Sequence, residues 1–434
     1  MSLKLSVIGT GYLGAVHATA LASVGFEVVG IDQDLNKIKS LQSGIAPFYE
    51  PEFDELLEEE LRSQRLVFGS NYQLIENCDV HFICVGTPQK ENSNSANLEF
   101  VENSFTKLLK HAKKDSLIVG KSTVPVGTAN RLTKLMAQTR PDLKLSWNPE
   151  FLREGFAVED TLRPTRIVVG VQDKKSEEIL RTLYKFNIDD GIPFLVTDLA
   201  TAELVKAAAN SFLATKISFI NTMSEICEAT GGNVQQLAKA IGLDPRIGEK
   251  FLGAGIGFGG GCLPKDIRAF ANRSEELGIT NTAKYLNILD QINIDARNNF
   301  VKKIKIEFAD DLKSKKIAVL GAAFKPNSDD VRDSPALEIA SQLSAFGAEV
   351  WVHDPKALAN AKLKYPTLNY SDSITEVLED SFAILHLTEW NQYQEIDPNW
   401  AGKLVKNMWV FDGRNKLDRT DWLSAGWKYW GVGI

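Results

Sequence analysis

The chain has 434 residues, more than one hydrophobic core supports, so two or three domains are expected. Its formal net charge is -7, with acidic and basic residues interspersed, which favours neither a nucleic acid nor a membrane surface as partner; an anionic ligand must be held locally. The four cysteines (Cys78, Cys84, Cys227, Cys262) form no CxxC pair and the one histidine between the first two, His81, falls in an apolar strand, which argues against a zinc site and a secreted disulfide framework and points to a reducing compartment.

The chain enters a strand without an apolar leader, and no apolar run reaches the ~18 residues of a membrane span. A cytoplasmic protein is expected. The first organised unit is LKLSVIGTGYLGAVHATALASVGFEVVGIDQD: a buried strand over residues 3–8, the turn Gly9-x-Gly11-x-x-Gly14, an alanine-rich helix ended by Gly25, and a second strand over 27–31 finishing at Asp32. Gly9 makes the turn, Gly11 lets a pyrophosphate approach the backbone, and Gly14 lets helix and strand pack closely. Asp32 would accept hydrogen bonds from ribose hydroxyls and repel a 2′-phosphate, which points to NAD rather than NADP.

Two further strands, in VHFICVGTP (80–88) and SLIVGKSTVPVGT (116–128), each end in a turn rich in Gly, Pro and Thr. Ligands of doubly wound sheets sit at the carboxyl ends of strands, so Thr87 and Thr123 are site candidates. In NPEFLREG (148–155) the pattern predicts a helical turn capped by Asn148, begun by Pro149 and ended by Gly155, with Glu150 and Glu154 on one face.

From about residue 199 the pattern becomes helical, first in TAELVKAAANSFLATKISFINTMSEICEAT and again over 281–312. Lys206 and Asn210, four apart, project from one strip of the first helix among apolar or small neighbours, where a partly desolvated lysine suits acid–base work. The C-terminal third repeats the strand, turn, helix and strand, ending in Asp354 where the first unit ended in Asp32. Its turn is ten residues longer, 33 positions from Gly321 to Asp354 against 23 from Gly9 to Asp32, and lacks the second and third glycines. It cannot cradle a pyrophosphate in the same way. It supplies instead Lys325 and Arg332, and the later strand end WVFDGRN supplies Arg414, cations suited to another phosphorylated ligand.

The resulting expectation is an α/β protein of two doubly wound Rossmann-like domains, residues 1–198 for NAD and 313–434 for a nucleotide-like substrate, joined by a central helical connector over 199–312. Between them GFGGGCLPKD (257–266) places Cys262 in a glycine loop, with Lys265 and Asp266 able to tune the thiol or a water. A nucleophilic cysteine in an NAD enzyme can carry an aldehyde through a thiohemiacetal to a thioester and release an acid.

The segments GTGYLG, VGTP, KSTVPVGT, NPEFLREG, AELVKAAANSFLATKISFIN, GFGGGCLPKD, AAFKPNSDDVRDSPA and DGRN, spread almost from end to end, make the chain resemble the nucleotide-sugar 6-dehydrogenases, and LDPRIG with GAGIGFGG resembles their UDP-glucose branch. The resemblance implies a four-electron oxidation of UDP-glucose at C6 to UDP-glucuronate, with Cys262 as nucleophile, Lys206, Asn210 and Asp266 around the reacting carbon, and Thr123 and Glu150 also serving catalysis. It assigns Gly9, Gly11, Tyr12, Leu13, Gly14, Asp32, Lys37, Val85, Gly86, Thr87, Thr123, Glu154 and Arg332 to NAD. To the sugar nucleotide it assigns Glu150, Phe151, Leu152, Arg153, Lys206, Asn210, Phe251, Gly255, Phe258, Gly259, Lys325 and Arg414, together with Arg246 donated by the partner subunit of a homodimer.

Two positions depart from the family pattern: Gly261 replaces a usual serine and Leu13 a common valine. Alternatives are sibling enzymes acting on UDP-N-acetylmannosamine or GDP-mannose. A two-electron hydroxyacid dehydrogenase would have no use for Cys262, and a non-catalytic NAD sensor would be expected to lack Cys262, Lys206 or Asp266.

Overall fold

The computed structural model describes residues 3–434. Two compact units divide it. The first extends through Ala209 and takes in Ala269–Ile279; the second comprises Asn210–Arg268 and Thr280–Ile434.

The first unit is built on an eight-stranded sheet of β1 (Lys4–Ile8), β2 (Glu27–Ile31), β3 (Leu66–Gly69), β4 (Val80–Ile83), β5 (Leu117–Gly120), β6 (Lys144–Trp147), β7 (Ile167–Gly170) and β8 (Phe194–Thr197). The spatial order is β3-β2-β1-β4-β5-β6-β7-β8, parallel throughout except where β6 meets β7. Order 3-2-1-4-5-6 is that of a doubly wound sheet, whose switch point lies between β1 and β4. Strand residues alternate between two core layers: Leu5, Val7, Val80, Phe82, Leu117 and Val119 pack on one face, Ile8, Ile83 and Ile118 on the other. Each such side chain contributes about 1.5–3 kcal/mol on leaving water.

The second unit repeats the plan with six parallel strands, β9 (Lys316–Leu320), β10 (Glu349–His353), β11 (Asn369–Tyr370), β12 (Ala383–His386), β13 (Trp409–Asp412) and β14 (Lys428–Gly431), ordered β11-β10-β9-β12-β13-β14. The helices Leu199–Thr230 and Thr280–Glu307 realise the two expected helical stretches. The second stops before residue 312, where Ala309 and Asp310 take positive φ. The division between the units falls inside the first of these helices, between Ala209 and Asn210.

One local expectation fails. Residues 148–155 are not a helical turn, and helix begins only at Ala157. Asn148 caps nothing: its buried side chain accepts from Lys121 Nζ (3.0 Å) and Tyr184 Oη (2.5 Å) and donates to the Val168 carbonyl (2.8 Å). A side chain so engaged between strand ends cannot turn back to cap a helix. Glu150 and Glu154 therefore share no helix face.

Candidate active site

The dinucleotide turn sits at the switch point of the first sheet. Gly14 is pressed on the Gly9 carbonyl, which a Cβ would meet at 1.8 Å, whereas nothing lies within 4 Å of where a Cβ on Gly11 or Gly86 would stand. Open space before two backbones on either side of the switch point is what an approaching pyrophosphate requires, so the residues present fit NAD. Asp32 ends β2 and accepts from Thr10 N–H (2.9 Å) and Lys37 Nζ (3.0 Å). Burial opposes its ionisation, but the Asp34 N–H and Lys37 together outweigh burial and hold the carboxyl below its ordinary value. On the β4 side of the switch point, Ser122 Oγ donates to the Val85 carbonyl (2.6 Å) and Thr87 Oγ1 to that of Thr123 (2.7 Å), tying the turns after β4 and β5 together. Leu13 packs against the core of this unit.

Tyr12 reaches another feature that sequence reasoning missed. Its hydroxyl bonds the buried carboxylate of Glu50, which also accepts from Gly155 N–H (2.7 Å) and Ala157 N–H (2.6 Å). Burial, then Glu50, raises the Tyr12 pKa, with Glu154 adding to the effect. Glu50 thus fixes the far end of the 148–155 loop to the phosphate turn. At the near end Lys206 Nζ pairs with Glu150 Oε1 at 2.9 Å, and Glu150 Oε2 accepts from Leu152 N–H (2.7 Å). Phe151 lies under the Arg166 guanidinium, 3.8 Å from its ring centre, while Arg153 is turned outward in a fork with Asp160 (2.7 and 2.8 Å). Behind this loop Lys121 is buried and its pKa falls to about 8 through desolvation.

In the second unit Cys262 is exposed, whereas the other three cysteines are buried. It immediately precedes the helix Leu263–Glu276, accepting from Asp266 N–H through its carbonyl (2.9 Å). The amino end of a helix favours negative charge beside it. Asp266 is held by Asn210 Nδ2 (2.8 Å) and Lys265 Nζ (2.5 Å) and is nearly inaccessible to solvent. The preceding loop is templated from the helix Thr280–Glu307: Asn293 bonds both the N–H (2.7 Å) and carbonyl (2.9 Å) of Phe258, and Arg297 donates to the same carbonyl (2.7 Å).

Gly261, the departure from the family pattern, has a physical counterpart. A Cβ there would stand 2.2 Å from Arg332 Cζ. Arg332 is locked in a fork by Asp330, whose Oδ2 also accepts from Gly261 N–H at 3.3 Å. The space of the missing serine side chain is occupied by this guanidinium, so the loop is tied down.

A cavity of about 270 Å³ opens beside the glycine loop. Its lining includes Phe251, Gly255, Phe258, Gly259, Lys325 and Arg414, six of the expected substrate residues, all in this unit. Sequence reasoning missed Phe324, Lys416 and Glu389 there. Three cations against one carboxylate suit a diphosphate. Arg414 is itself held by the carbonyls of Leu387 (2.8 Å), Gly257 (3.0 Å) and Phe324 (3.2 Å) and by Glu389 (3.3 Å), so it shapes the cavity as well as charging it. Asp354 does not copy Asp32: its carboxylate is filled by the N–H groups of Ala322 (2.7 Å) and Ala323 (2.9 Å) and the Trp390 indole (3.2 Å). Arg246 is absent from the cavity lining; it is exposed and paired with Asp244 (2.6 Å). Among the described residues no cluster of His, Cys, Asp or Glu could hold a metal ion, and no helix is long and apolar enough to cross a membrane.

Three family descriptions match the chain in succession: the NAD binding domain of the UDP-glucose/GDP-mannose dehydrogenase family over residues 3–188, its central domain over 200–295 and its UDP binding domain over 318–419. A UDP-glucose 6-dehydrogenase of Rickettsia felis is 44% identical, across 99% of this chain and 96% of its own. Among solved structures, a UDP-glucose dehydrogenase from Pyrobaculum islandicum superposes with a TM-score of 0.90 at 35% identity, covering 100% of this chain and 98% of the other. A UDP-D-ManNAc dehydrogenase from Pyrococcus horikoshii gives 0.87 at 26% identity, with 99% of each chain covered.

Proposed function

Because the chain belongs to the UDP-glucose/GDP-mannose dehydrogenase family, we propose that it oxidises UDP-glucose at C6 to UDP-glucuronate through covalent intermediates on Cys262. It is an NAD-dependent oxidoreductase. UDP-glucose, two NAD⁺ and water would give UDP-glucuronate, two NADH and three protons. Bound NAD accepts the hydride in each half of the reaction.

The chain's own residues divide the remaining work. The Gly9 to Gly14 turn, Asp32, Lys37 and the 85–87 turn would hold the cofactor, and the family resemblance adds Arg332 to these. Lys325, Arg414 and the Phe258 loop would hold the sugar nucleotide. Lys206 and Asp266, acting through water, would take the proton of the C6 hydroxyl as the aldehyde forms. The Cys262 sulfur then adds to that carbonyl carbon, giving a thiohemiacetal whose oxyanion is steadied by Lys206 and Asn210. Loss of the second hydride leaves a thioester. Water, assisted by Glu150 with Thr123 nearby in the reaction, cleaves it to the carboxylate and returns the thiol.

The observation that carries this reading is the contrast among the cysteines: the thiol that ends the glycine loop is exposed while the others are core residues. The substrate is supported by full-length relatives described as UDP-glucose 6-dehydrogenases. The family resemblance assigns Arg246 to the substrate site of a partner subunit, and its exposed side chain, outside the cavity lining of its own chain, is compatible with that role. Counting NADH per sugar nucleotide across UDP-glucose, UDP-N-acetylmannosamine and GDP-mannose tests the reading. Two NADH per UDP-glucose is expected, and one would overturn it.

A further inference from the structure

The turn after β5 carries Thr123 and then the helix Thr128–Thr139. A buried carboxylate grips it. Glu203, 2% exposed on the long helix, accepts from Gly127 N–H (2.7 Å) through one oxygen and from Ala129 N–H (2.6 Å) through the other. Gly127, the N-cap of the following helix, adopts φ +98°, and its N–H and that of Ala129 in the first turn both meet this carboxylate, which satisfies donors the helix itself cannot. Arg273, the charged group facing Glu203, donates to the Val126 carbonyl at 3.0 Å. Lys206, three residues after Glu203 on the same helix, holds Glu150 in the loop after β6. Within one turn of helix, therefore, two side chains fasten the loops that follow two adjacent strands.

We propose that Glu203 is a positioning residue that sets the Thr123 loop in register with Lys206, and that its ionised form is the working one. The inference rests on the reading above that Thr123 serves catalysis. A carboxylate offers an acceptor to each N–H. A protonated carboxyl turns one oxygen into a donor facing an N–H and loses a bond there. Burial, opposed by the Ala129 and Gly127 N–H groups and by Arg273, raises the Glu203 pKa to about 7, so this exchange falls in the neutral range. Activity then carries an acidic limb near neutrality. Glu203→Gln, with one acceptor and one donor, mimics the protonated state at every pH, while Glu203→Asp keeps the charge.

The test compares full-length wild type, Glu203→Gln, Glu203→Asp and Thr123→Val by amide hydrogen exchange at about pH 8 and by kcat and KM across the neutral range. Faster exchange confined to residues 121–130 in Glu203→Gln is expected, with kcat lowered roughly tenfold to a hundredfold, KM changed less, and the limb abolished. Glu203→Asp should retain the limb. Unchanged exchange over 121–130 in Glu203→Gln, or an unaltered limb in that variant, would overturn the proposal. A fully active Thr123→Val would remove the catalytic reading of Thr123, while the exchange comparison would still decide whether Glu203 holds the loop.

Discussion

Lys206 Nζ and Glu150 Oε1 form an ion pair at 2.9 Å in which the side chains keep only 7% and 12% of their exposure. Removing one partner of so enclosed a pair leaves an uncompensated charge, at a cost of about 3 kcal/mol. Lys206→Ala should therefore lose stability, and Lys206→Ala with Glu150→Ala should regain part of it. Both should lose roughly a hundredfold or more in kcat if the pair handles protons. Denaturant unfolding beside steady-state kinetics checks this; a single variant as stable as the wild type would contradict it.

For the cofactor, Asp32 is satisfied by Thr10 N–H and Lys37, an arrangement with acceptor capacity to spare for ribose hydroxyls. Asp32→Ser would remove the charge that repels a 2′-phosphate and release Lys37 toward it. The ratio of kcat/KM for NAD to that for NADP should fall at least about tenfold, a difference of ~1.4 kcal/mol. An unchanged ratio would show that Asp32 does not set the preference.

Arg246 lies on the surface, paired with Asp244 two residues away. Arg246→Ala should leave stability within about 0.5 kcal/mol of wild type, as for an exposed substitution, but raise substrate KM roughly tenfold to a hundredfold through loss of a charged hydrogen bond across subunits. Sedimentation should show at least a dimer. Full activity in a monomer would refute the contribution in trans.

Much of this organisation was legible in the sequence. Glycine spacing, strand ends and the acids Asp32 and Asp354 define both sheets, and six expected substrate residues meet in one cavity. What escaped is long-range: Glu50 and Glu203 act on backbone N–H groups far along the chain, and no local pattern records such a partner. The 148–155 turn was misread because Asn148 and Pro149 carry a helix-start signal, yet Asn148 spends its amide on Lys121, Tyr184 and Val168. Glu203 did leave one trace, a carboxylate in an otherwise small and apolar run before Lys206.

Lys121 gives a pH signature. Its folded pKa of about 8 lies below the value of about 10.4 for an unfolded lysine, so the unfolded chain binds more protons between those values and stability rises with pH across that window. Relative to Lys121→Met, the wild type should gain on the order of 3 kcal/mol from below pH ~8 to above ~10.4. A difference in unfolding free energy that does not vary with pH would contradict this.

The most direct measurement is rapid quench of Cys262→Ser with UDP-glucose and NAD, followed by intact-protein mass spectrometry. The glycine loop and the cationic cavity are untouched by the change, so both ligands should still bind, but a hydroxyl is a far weaker nucleophile and a poorer leaving group than a thiolate. The second half of the reaction should nearly stop, with at most about one turnover per site and product held as an ester on Ser or released as aldehyde. Supplying the C6 aldehyde should not rescue the variant. Steady formation of UDP-glucuronate by Cys262→Ser at near the wild-type rate would contradict covalent catalysis at this position.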